Sequence, residues 1–326
     1  MKILVLLFVL ILIQGCKGAG SGSSSITSEY CGFERPPYIA KLNLKNGSSI
    51  TAEALIFGLH VKPDAAYPEL NMLDDVIEET SDTESISNVI ALGDFNASCS
   101  YLSNNEYASL DLVNKLYTWL IDNNADTNTA SSTCAYDRII HKSSFSVGTK
   151  GVDTSIGSSI SDHYPVFANF QASGQNYAIS AFNLQRYGPE KAADSNFINS
   201  VKTLIQKYDL ILLQEITTTD QSLINLLIPN GYDFVVSERL GTSSYKEQYA
   251  YVFNSKIDVV SEQVYSGTLC TPIYKEDTSN SSGGSVSSCT SDGYLCGASP
   301  YITPGGQCWA SKNGRKVRTR DCCCEI

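Results

Sequence analysis

Between residues 49 and 253, short apolar runs alternate with stretches in which apolar residues return every three or four positions. Apolar runs bounded by turn formers predict strands, and three-to-four spacing predicts amphipathic helices. Strands are predicted at 49–59 (SITAEALIFGL), 89–92, 138–140, 165–170, 177–182, 210–213, 232–236 and 249–253. Helices are predicted at 70–79, 110–120 and 197–208. Strands alternating with helices predict an α/β fold. The segment 171–176 (QASGQN) reads as a linker, and so does the Ser/Gly-rich stretch within 271–288. Residues 289–326 carry almost no apolar periodicity and form a separate Cys-rich tail.

The N-terminus has a different pattern. Lys2 precedes an unbroken apolar run, 3–13, then Gln14-Gly15-Cys16 and a Gly/Ser-rich stretch. A basic residue before a short apolar run is the pattern of an export signal. The run is shorter than the roughly 20 residues a membrane-spanning helix needs. The expectation is a signal peptide over 1–19, a flexible linker over 20–30 and a secreted protein, in a compartment where disulfides form. A bacterial lipoprotein signal, ending before an acylated Cys16 that anchors the chain to lipid, stays open beside it.

Composition narrows the function. The chain has 326 residues, 42% of them hydrophobic, ample for a packed core. With 23 Lys+Arg against 34 Asp+Glu the net charge is −11, which excludes a sequence-independent polycation and by itself argues against a polyanionic substrate. There are 11 Cys, crowded toward the C-terminus, and only three His, so candidate imidazole catalysts are few.

Polar residues follow or precede the buried runs at five places. His60 follows LIFGL, Asp94 and Asn96 follow VIALG, Asn183 follows AISAF, Glu215 follows LILLQ, and Asp162-His163 precede the strand starting at Pro165. Singly, each is an ordinary turn residue. Together they fit the way α/β proteins place sites at strand ends, on a rigid scaffold under open loops.

At these residues the chain resembles a known family. The stretches FERPP (33–37), FGLHVKP (57–63), ALGDFNASCSY (91–101), WLIDNNADTNTASSTCAYDRII (119–140), SDHYPV (161–166), AFNLQRYG (181–188), YDLILLQEI (208–216) and YDFVVSERLGTSSYKEQYAYVF (232–253) resemble the pancreatic-type deoxyribonucleases of the endonuclease/exonuclease/phosphatase superfamily. The resemblance covers roughly residues 31–270. Its QE, GDFN and SDHxP elements belong to the whole superfamily, whereas VVSERLG, SYKE and CAYDRI point to the deoxyribonuclease branch.

The resemblance implies a four-layer α/β/β/α sandwich of two packed mixed sheets. It also implies a rearranged order. Residues 31–170 match the family's second half and 177–270 its first, so the chain resembles a circular permutant with 171–176 joining the old ends. Compact domains tolerate this because their termini lie close together. A Cys31–Cys270 disulfide would then tie the new ends.

Function follows by the same resemblance: a metal-dependent endonuclease that hydrolyses DNA phosphodiester bonds, double-stranded DNA being the expected partner and a monomer the expected state. His60 would pair with Glu247 and His163 with Asp94. His163 would be the base and His60 the acid, although the reverse stays open. Glu215, with Asp162 and Asn183, would hold Mg²⁺ or Mn²⁺, a hard cation that takes oxygen ligands. Asn183 and Asn96 would donate to the phosphate, Asp137 would orient the attacking water or a metal, and Arg35, Tyr245 and Tyr136 would contact DNA. A structural Ca²⁺ could sit at Asp126, although Asn128 and Ala130 depart from the family's threonines. Cys99–Cys134 matches a family disulfide. Thr217, Thr242 and Gln185 stand at positions that are frequently basic, so the grip on DNA is expected to be weaker or different. His141 is expected to be a surface residue. Two other readings remain: a non-catalytic binding or adhesion protein on the same fold, and a phosphodiesterase or phosphatase with a non-DNA substrate.

Asn96-Ala97-Ser98 is also a glycosylation sequon. A glycan would block the site, so Asn96 is expected to be bare, with Asn46 and Asn280 the better acceptors. In the tail, Cys289, Cys296, Cys308, Cys322, Cys323 and Cys324 suggest a disulfide knot of open pairing, with zinc binding as the alternative. Lys312, Arg315, Lys316, Arg318 and Arg320 make a basic cluster near Trp309 that could anchor DNA or another anionic surface, or simply be solvated.

Overall fold

The computed structural model describes residues 26–267, 269–274, 289–291, 294–296, 309–312 and 315–318. The expected signal peptide with Cys16, the stretch 275–288 with Asn280, and Cys308, Arg320, Cys322, Cys323 and Cys324 lie outside the described residues. Among the described residues, no helix is long and apolar enough to cross a membrane.

The chain begins with β1 (Ile26–Cys31), β2 (Tyr38–Asn46), β3 (Ser49–Gly58), α1 (Ala66–Glu84) and β4 (Val89–Asp94). It continues through α2 (Asn104–Ser109), α3 (Asp111–Asn114), β5 (Thr118–Trp119), β6 (Asp137–Lys142), β7 (Ser146–Val152), β8 (Val166–Ala172) and β9 (Gln175–Tyr187). Next come α4 (Pro189–Ala193), α5 (Ser195–Ile205), β10 (Leu210–Ile216), α6 (Gln221–Asn225), β11 (Tyr232–Val236), β12 (Gln248–Asn254), β13 (Ile257–Val264) and β14 (Cys270–Tyr274). One six-stranded sheet has the order β11-β12-β10-β9-β8-β7, the other β13-β2-β3-β4-β6-β5. Both are mixed: β9–β10 and β3–β4 are parallel and the other pairs antiparallel.

The apolar runs explain the layering. Strands covered on both faces need apolar residues at every position, and the two-residue period deals them alternately to each side. In LILL, Leu210 and Leu212 join a core shared by both sheets, with Ile56, Ile90, Ile139 and Ile179. Ile211 and Leu213 face the opposite way, onto Phe197, Val201, Leu204 and Ile205 of α5. Likewise Ile56 points between the sheets, whereas Leu55 and Phe57 pack with Leu70, Leu73, Val76 and Ile77 of α1. The result is the expected α/β/β/α layering. Tyr251 Oη donates to Tyr38 O at 2.7 Å, and the two rings stack at 5.2 Å, bonding one sheet to the other.

The helix expected at 110–120 does not form as such. α3 ends at Asn114, Leu116 takes a left-handed φ of 68° and is exposed, and Thr118 and Trp119 pair with His141 and Ile140 as an edge strand. The aromatic and β-branched residues after Leu116 suit a strand better than a helix. His141 is a second correction. It is buried, its ring 5.5 Å from Phe170 and its Nδ1 2.9 Å from Ser143 Oγ.

Residues 171–176 lie in a tight hairpin. Ala172 faces Gln175, and Ser173 and Gly174 turn the chain with φ of 50° and 76°. At the other end of the main body, Gly32 N donates to Leu269 O at 2.7 Å and Cys31 is bonded to Cys270. The tail contains β15 (Cys289–Ser291), β16 (Tyr294–Cys296), β17 (Trp309–Lys312) and β18 (Arg315–Arg318), in that sheet order, with Cys289 opposite Cys296.

Candidate active site

The predicted polar residues meet where strands of both sheets end. His60 follows β3. Asp94 ends β4 and lies opposite Asp137, the first residue of β6. Asn183 lies in β9, paired with Gln214 of β10, and Glu215 follows. Glu247 precedes β12, and Asp162-His163 precede β8. Gln214 joins the sheets beneath them: its Nε2 donates to Leu59 O at 2.8 Å and its Oε1 accepts from Asp94 N at 3.0 Å. Gly93 has a φ of 136°, and a Cβ there would collide with the Leu59 carbonyl oxygen, so glycine is what lets β4 pass so close to the chain carrying His60.

Each candidate imidazole rests on a carboxylate. His60 Nδ1 lies 2.8 Å from Glu247 Oε1, the expected pairing. His163 Nδ1 lies 2.8 Å from Asp137 Oδ2, not from Asp94. The pairing of His163 with Asp94 and the water-orienting role for Asp137 are therefore corrected. Asp137 is fully buried and committed to the imidazole, with its backbone N–H fixed by Thr127 Oγ1 at 3.0 Å. Asp94 instead stands between the two rings, its Oδ2 3.5 Å from His60 Nε2 and 3.6 Å from His163 Nε2. With Nδ1 donating to a carboxylate, Nε2 is the nitrogen left for chemistry on each ring.

The electrostatics favour charged imidazoles. Burial lowers the proton affinity of His60, but Glu247, against Arg35 and with help from Asp94, carries it above the ordinary value. Burial also pulls His163 down, yet Asp137, Asp94 and Asp162 raise it to about 10. Burial pushes the Asp137 carboxyl up against the pull of His163.

Backbone strain is concentrated here. Asn96, Gln185, Arg186 and Glu215 have φ of 48°, 50°, 61° and 56°. Such conformations cost about 1–3 kcal/mol each for ordinary residues and persist where the surroundings enforce them. The enforcement is visible. Between the pairs Asn183–Gln214 and Tyr187–Ile216 the β9–β10 register slips, and the bulge is pinned by Gln185 N donating to Asn183 Oδ1 at 2.9 Å and Arg186 N to Glu215 Oε2 at 3.1 Å. Asn183 Nδ2 donates to Glu215 Oε1 at 3.0 Å and to Asp94 Oδ2 at 3.3 Å, so this amide orients both carboxylates. Asn96 Nδ2 donates to Val61 O at 2.9 Å and is 4% exposed, leaving one amide hydrogen for a phosphate and no room for a glycan.

Of the remaining candidates, Arg35 is buried, donating to His60 O at 3.0 Å and lying 3.5 Å from Glu247, so it braces the dyad rather than facing outward. Tyr245 Oη donates to Glu215 Oε2 at 3.1 Å. The half-buried Tyr136 ring sits 6.4 Å from His163 and 5.4 Å from Tyr101. Asp162 is exposed, 3.9 Å from His163 Nε2. Thr242 is tied to Glu34, whose Oε1 accepts its N–H at 3.0 Å.

Sequence reasoning passed over several supports. Ser161 Oγ donates to Asn183 O at 2.7 Å and accepts from His163 N at 3.1 Å. Lys191 Nζ ties Ile160 O and Leu184 O at 2.9 and 2.7 Å, joining the His163 loop to the β9 bulge. Glu69, fully buried in α1, accepts from Tyr30 Oη, Glu34 N and Lys62 N at 2.8, 2.9 and 3.1 Å, fixing the loops around Arg35 and His60. The SDH spacing could have flagged Ser161; the others depend on contacts distant in sequence.

The donor set suits a hard divalent cation. His60, Glu215 and Glu247 bring ligand atoms within 4.8 Å of one another, as do Asp94, Asp137 and His163. The imidazole dyads are already engaged, which leaves the carboxylates of Glu215 and Asp94 in these two groups as the oxygen donors such an ion prefers. The expected calcium at Asp126 does not fit. A cation needs oxygens converging on empty space, but Asn128 Nδ2 donates there to Asp126 Oδ1 at 3.2 Å, Ser132 O at 2.8 Å and Cys134 O at 3.5 Å. Ala130 N donates to Asn128 Oδ1 at 2.8 Å, fixing the amide that way round. The loop is also held by the Cys99–Cys134 disulfide.

A family model described as "Endonuclease/Exonuclease/phosphatase family" matches residues 180–310. Deoxyribonuclease-1 of Bos taurus is 33% identical over 168 residues, 47% of this chain and 56% of the relative. Deoxyribonuclease-1-like 2 of Mus musculus is 32% identical over 154 residues, 43% of this chain and 55% of the relative. The chain thus spans about half the length of the curated relatives it matches. A solved endonuclease/exonuclease/phosphatase from Bacteroides vulgatus aligns with 61% of this chain and 86% of its own, at 10% identity and a TM-score of 0.39. The sequence matches agree with a site of paired imidazoles and carboxylates between two mixed sheets, and over these stretches the chain is similar to the endonuclease/exonuclease/phosphatase family and to deoxyribonuclease-1.

Proposed function

We propose that this protein is an exported, metal-assisted endonuclease that hydrolyses phosphodiester bonds of DNA, duplex by preference, with little sequence specificity. One observation carries the reading: two imidazoles, each on a buried carboxylate at 2.8 Å, turn their Nε2 atoms toward one Asp94 oxygen beside Glu215. Hydrolysis of a diester needs a base for water and an acid for the departing 3′-oxygen. His163 Nε2 takes the proton of the attacking water, whose oxygen bonds to phosphorus. The P–O3′ bond breaks, and His60 Nε2–H protonates the leaving oxygen. Glu247 and Asp137 hold the tautomers and stabilise each imidazolium. Asn183 fixes the carboxylate array, and its neighbour Asn96 offers its spare amide hydrogen to the phosphate. Glu215 with Asp162 would hold a divalent cation such as Mg²⁺ or Mn²⁺, which would supply positive charge against the phosphate oxygens and offset the carboxylates that raise the proton affinity of both imidazoles.

The reading includes the segment order. The motif order, the short hairpin at 171–176 and the disulfide between Cys31 and Cys270 support a circular permutant of the deoxyribonuclease fold. A match to about half of each relative is what a rearranged order leaves when one half aligns. Export rests on the leader-like residues 1–19 and on these disulfides.

The test is supercoiled plasmid with Mg²⁺ or with EDTA, beside His163→Ala. Nicking by wild type with Mg²⁺, and none with EDTA or from the variant, is expected; intact plasmid with wild type, or equal nicking by the variant, overturns the reading.

A further inference from the structure

Residues 31–270 are acidic, and their four arginines divide unequally. Arg35 is spent on His60 O and Glu247. Arg138 is fully buried and gives its donors to Ala135 O, Ile121 O and Ala97 O, each at 2.8 Å. Arg239 holds Thr217 O and Thr218 O at 3.0 Å and Lys246 O at 2.8 Å. Arg186 differs. It is exposed, and its guanidinium lies 5.3 Å from the centre of the Tyr245 ring, with no carboxylate paired to it among the described residues.

Its placement is specified. Arg186 sits on the β9 bulge with a φ of 61°, after Gln185 with a φ of 50°. Bulges beside sites re-aim side chains. The bulge is pinned by Arg186 N on Glu215 Oε2 at 3.1 Å, the oxygen that also accepts from Tyr245 Oη at 3.1 Å. A planar cation on an aromatic face loses little freedom and keeps its outer N–H donors open, the form that recognises phosphate.

We propose that Arg186, seated on Tyr245, is a phosphate-contact residue of this protein, binding the nucleic-acid backbone phosphate next to the one at Glu215. The inference rests on the nuclease reading and deepens it.

The experiment is fluorescence anisotropy of labelled duplex DNA against NaCl concentration, in chelating buffer, with plasmid nicking measured in parallel. Each neutralised phosphate contributes about one unit to the log–log salt slope. Arg186→Ala is expected to flatten the slope by about one and to weaken binding roughly tenfold at low salt. Arg186→Lys should restore the slope, and Tyr245→Phe should keep it, because ring and charge both remain. Wild type that nicks plasmid while Arg186→Ala keeps its slope and affinity overturns the assignment alone. Wild type that neither nicks nor binds duplex overturns the assignment and the nuclease reading together.

Discussion

Asp137 Oδ2 lies 2.8 Å from His163 Nδ1, inside a wall that leaves Asp137 no exposure. A carboxylate there fixes the tautomer and shares the charge of the ring. Asp137→Asn keeps the shape but removes the charge and can present an N–H to Nδ1. The expected outcome is a loss of about 10²–10⁴-fold in kcat with little change in KM. Steady-state kinetics on plasmid check it, and an unaltered kcat would reject the role.

Asn128 occupies the space a cation would take. Wild type is expected to unfold at the same temperature in calcium and in EGTA. Asn128→Asp sets a second carboxylate against Asp126 and removes the amide donor, so it should lose about 1–3 kcal/mol without calcium and regain stability when millimolar calcium is added. Differential scanning calorimetry reads both. A calcium-stabilised wild type would show that the amide is no substitute.

Asp153 sets an acid limit. Burial pushes its carboxyl up, but Lys207 Nζ at 2.8 Å, Ser155 and Tyr208 Oη at 2.8 Å bring it down to about 2. The folded value is below the unfolded one, so folding favours the ionised form. Its contribution is complete above about pH 4 and fades as pH falls toward 2. Asp153→Asn should lower the unfolding temperature at pH 6 and have much less effect near pH 2. Equal effects at both pH values would contradict the assignment.

The two bridges should differ in worth. Cys31–Cys270 spans 239 positions and Cys99–Cys134 spans 35. Chain entropy scales with the logarithm of the closed loop, giving about 5 kcal/mol for the first and about 4 for the second as upper values. Urea midpoints of Cys31→Ser with Cys270→Ser, and of Cys99→Ser with Cys134→Ser, should fall in that order; the reverse order would mean that local native contacts outweigh the loop term.

Much of this was legible in the sequence because burial on both faces leaves a plain mark. LILL, VIAL and the 177–182 run announce central strands, and the polar residue closing each announces the site. β2 alternates in YIAKLNLKN yet was passed over, and the edge strands β7 and β13, with mostly exposed residues, carry little apolar signal. The partner of His163 was not legible: Asp94 and Asp137 are cross-strand neighbours, and only the register of β4 against β6 decides which one the ring meets. Asn128 was noticed as a departure, but that its amide stands in for a cation depends on where Ser132 and Cys134 turn their carbonyls.

The bond between Cys31 and Cys270, with the unbroken backbone between them, makes residues 31–270 a covalent ring. A ring has no privileged opening point. A single protease cut in any exposed loop of this body leaves its two pieces joined through that bond and releases no fragment. Nicked once, the protein still holds both halves of its site in one molecule.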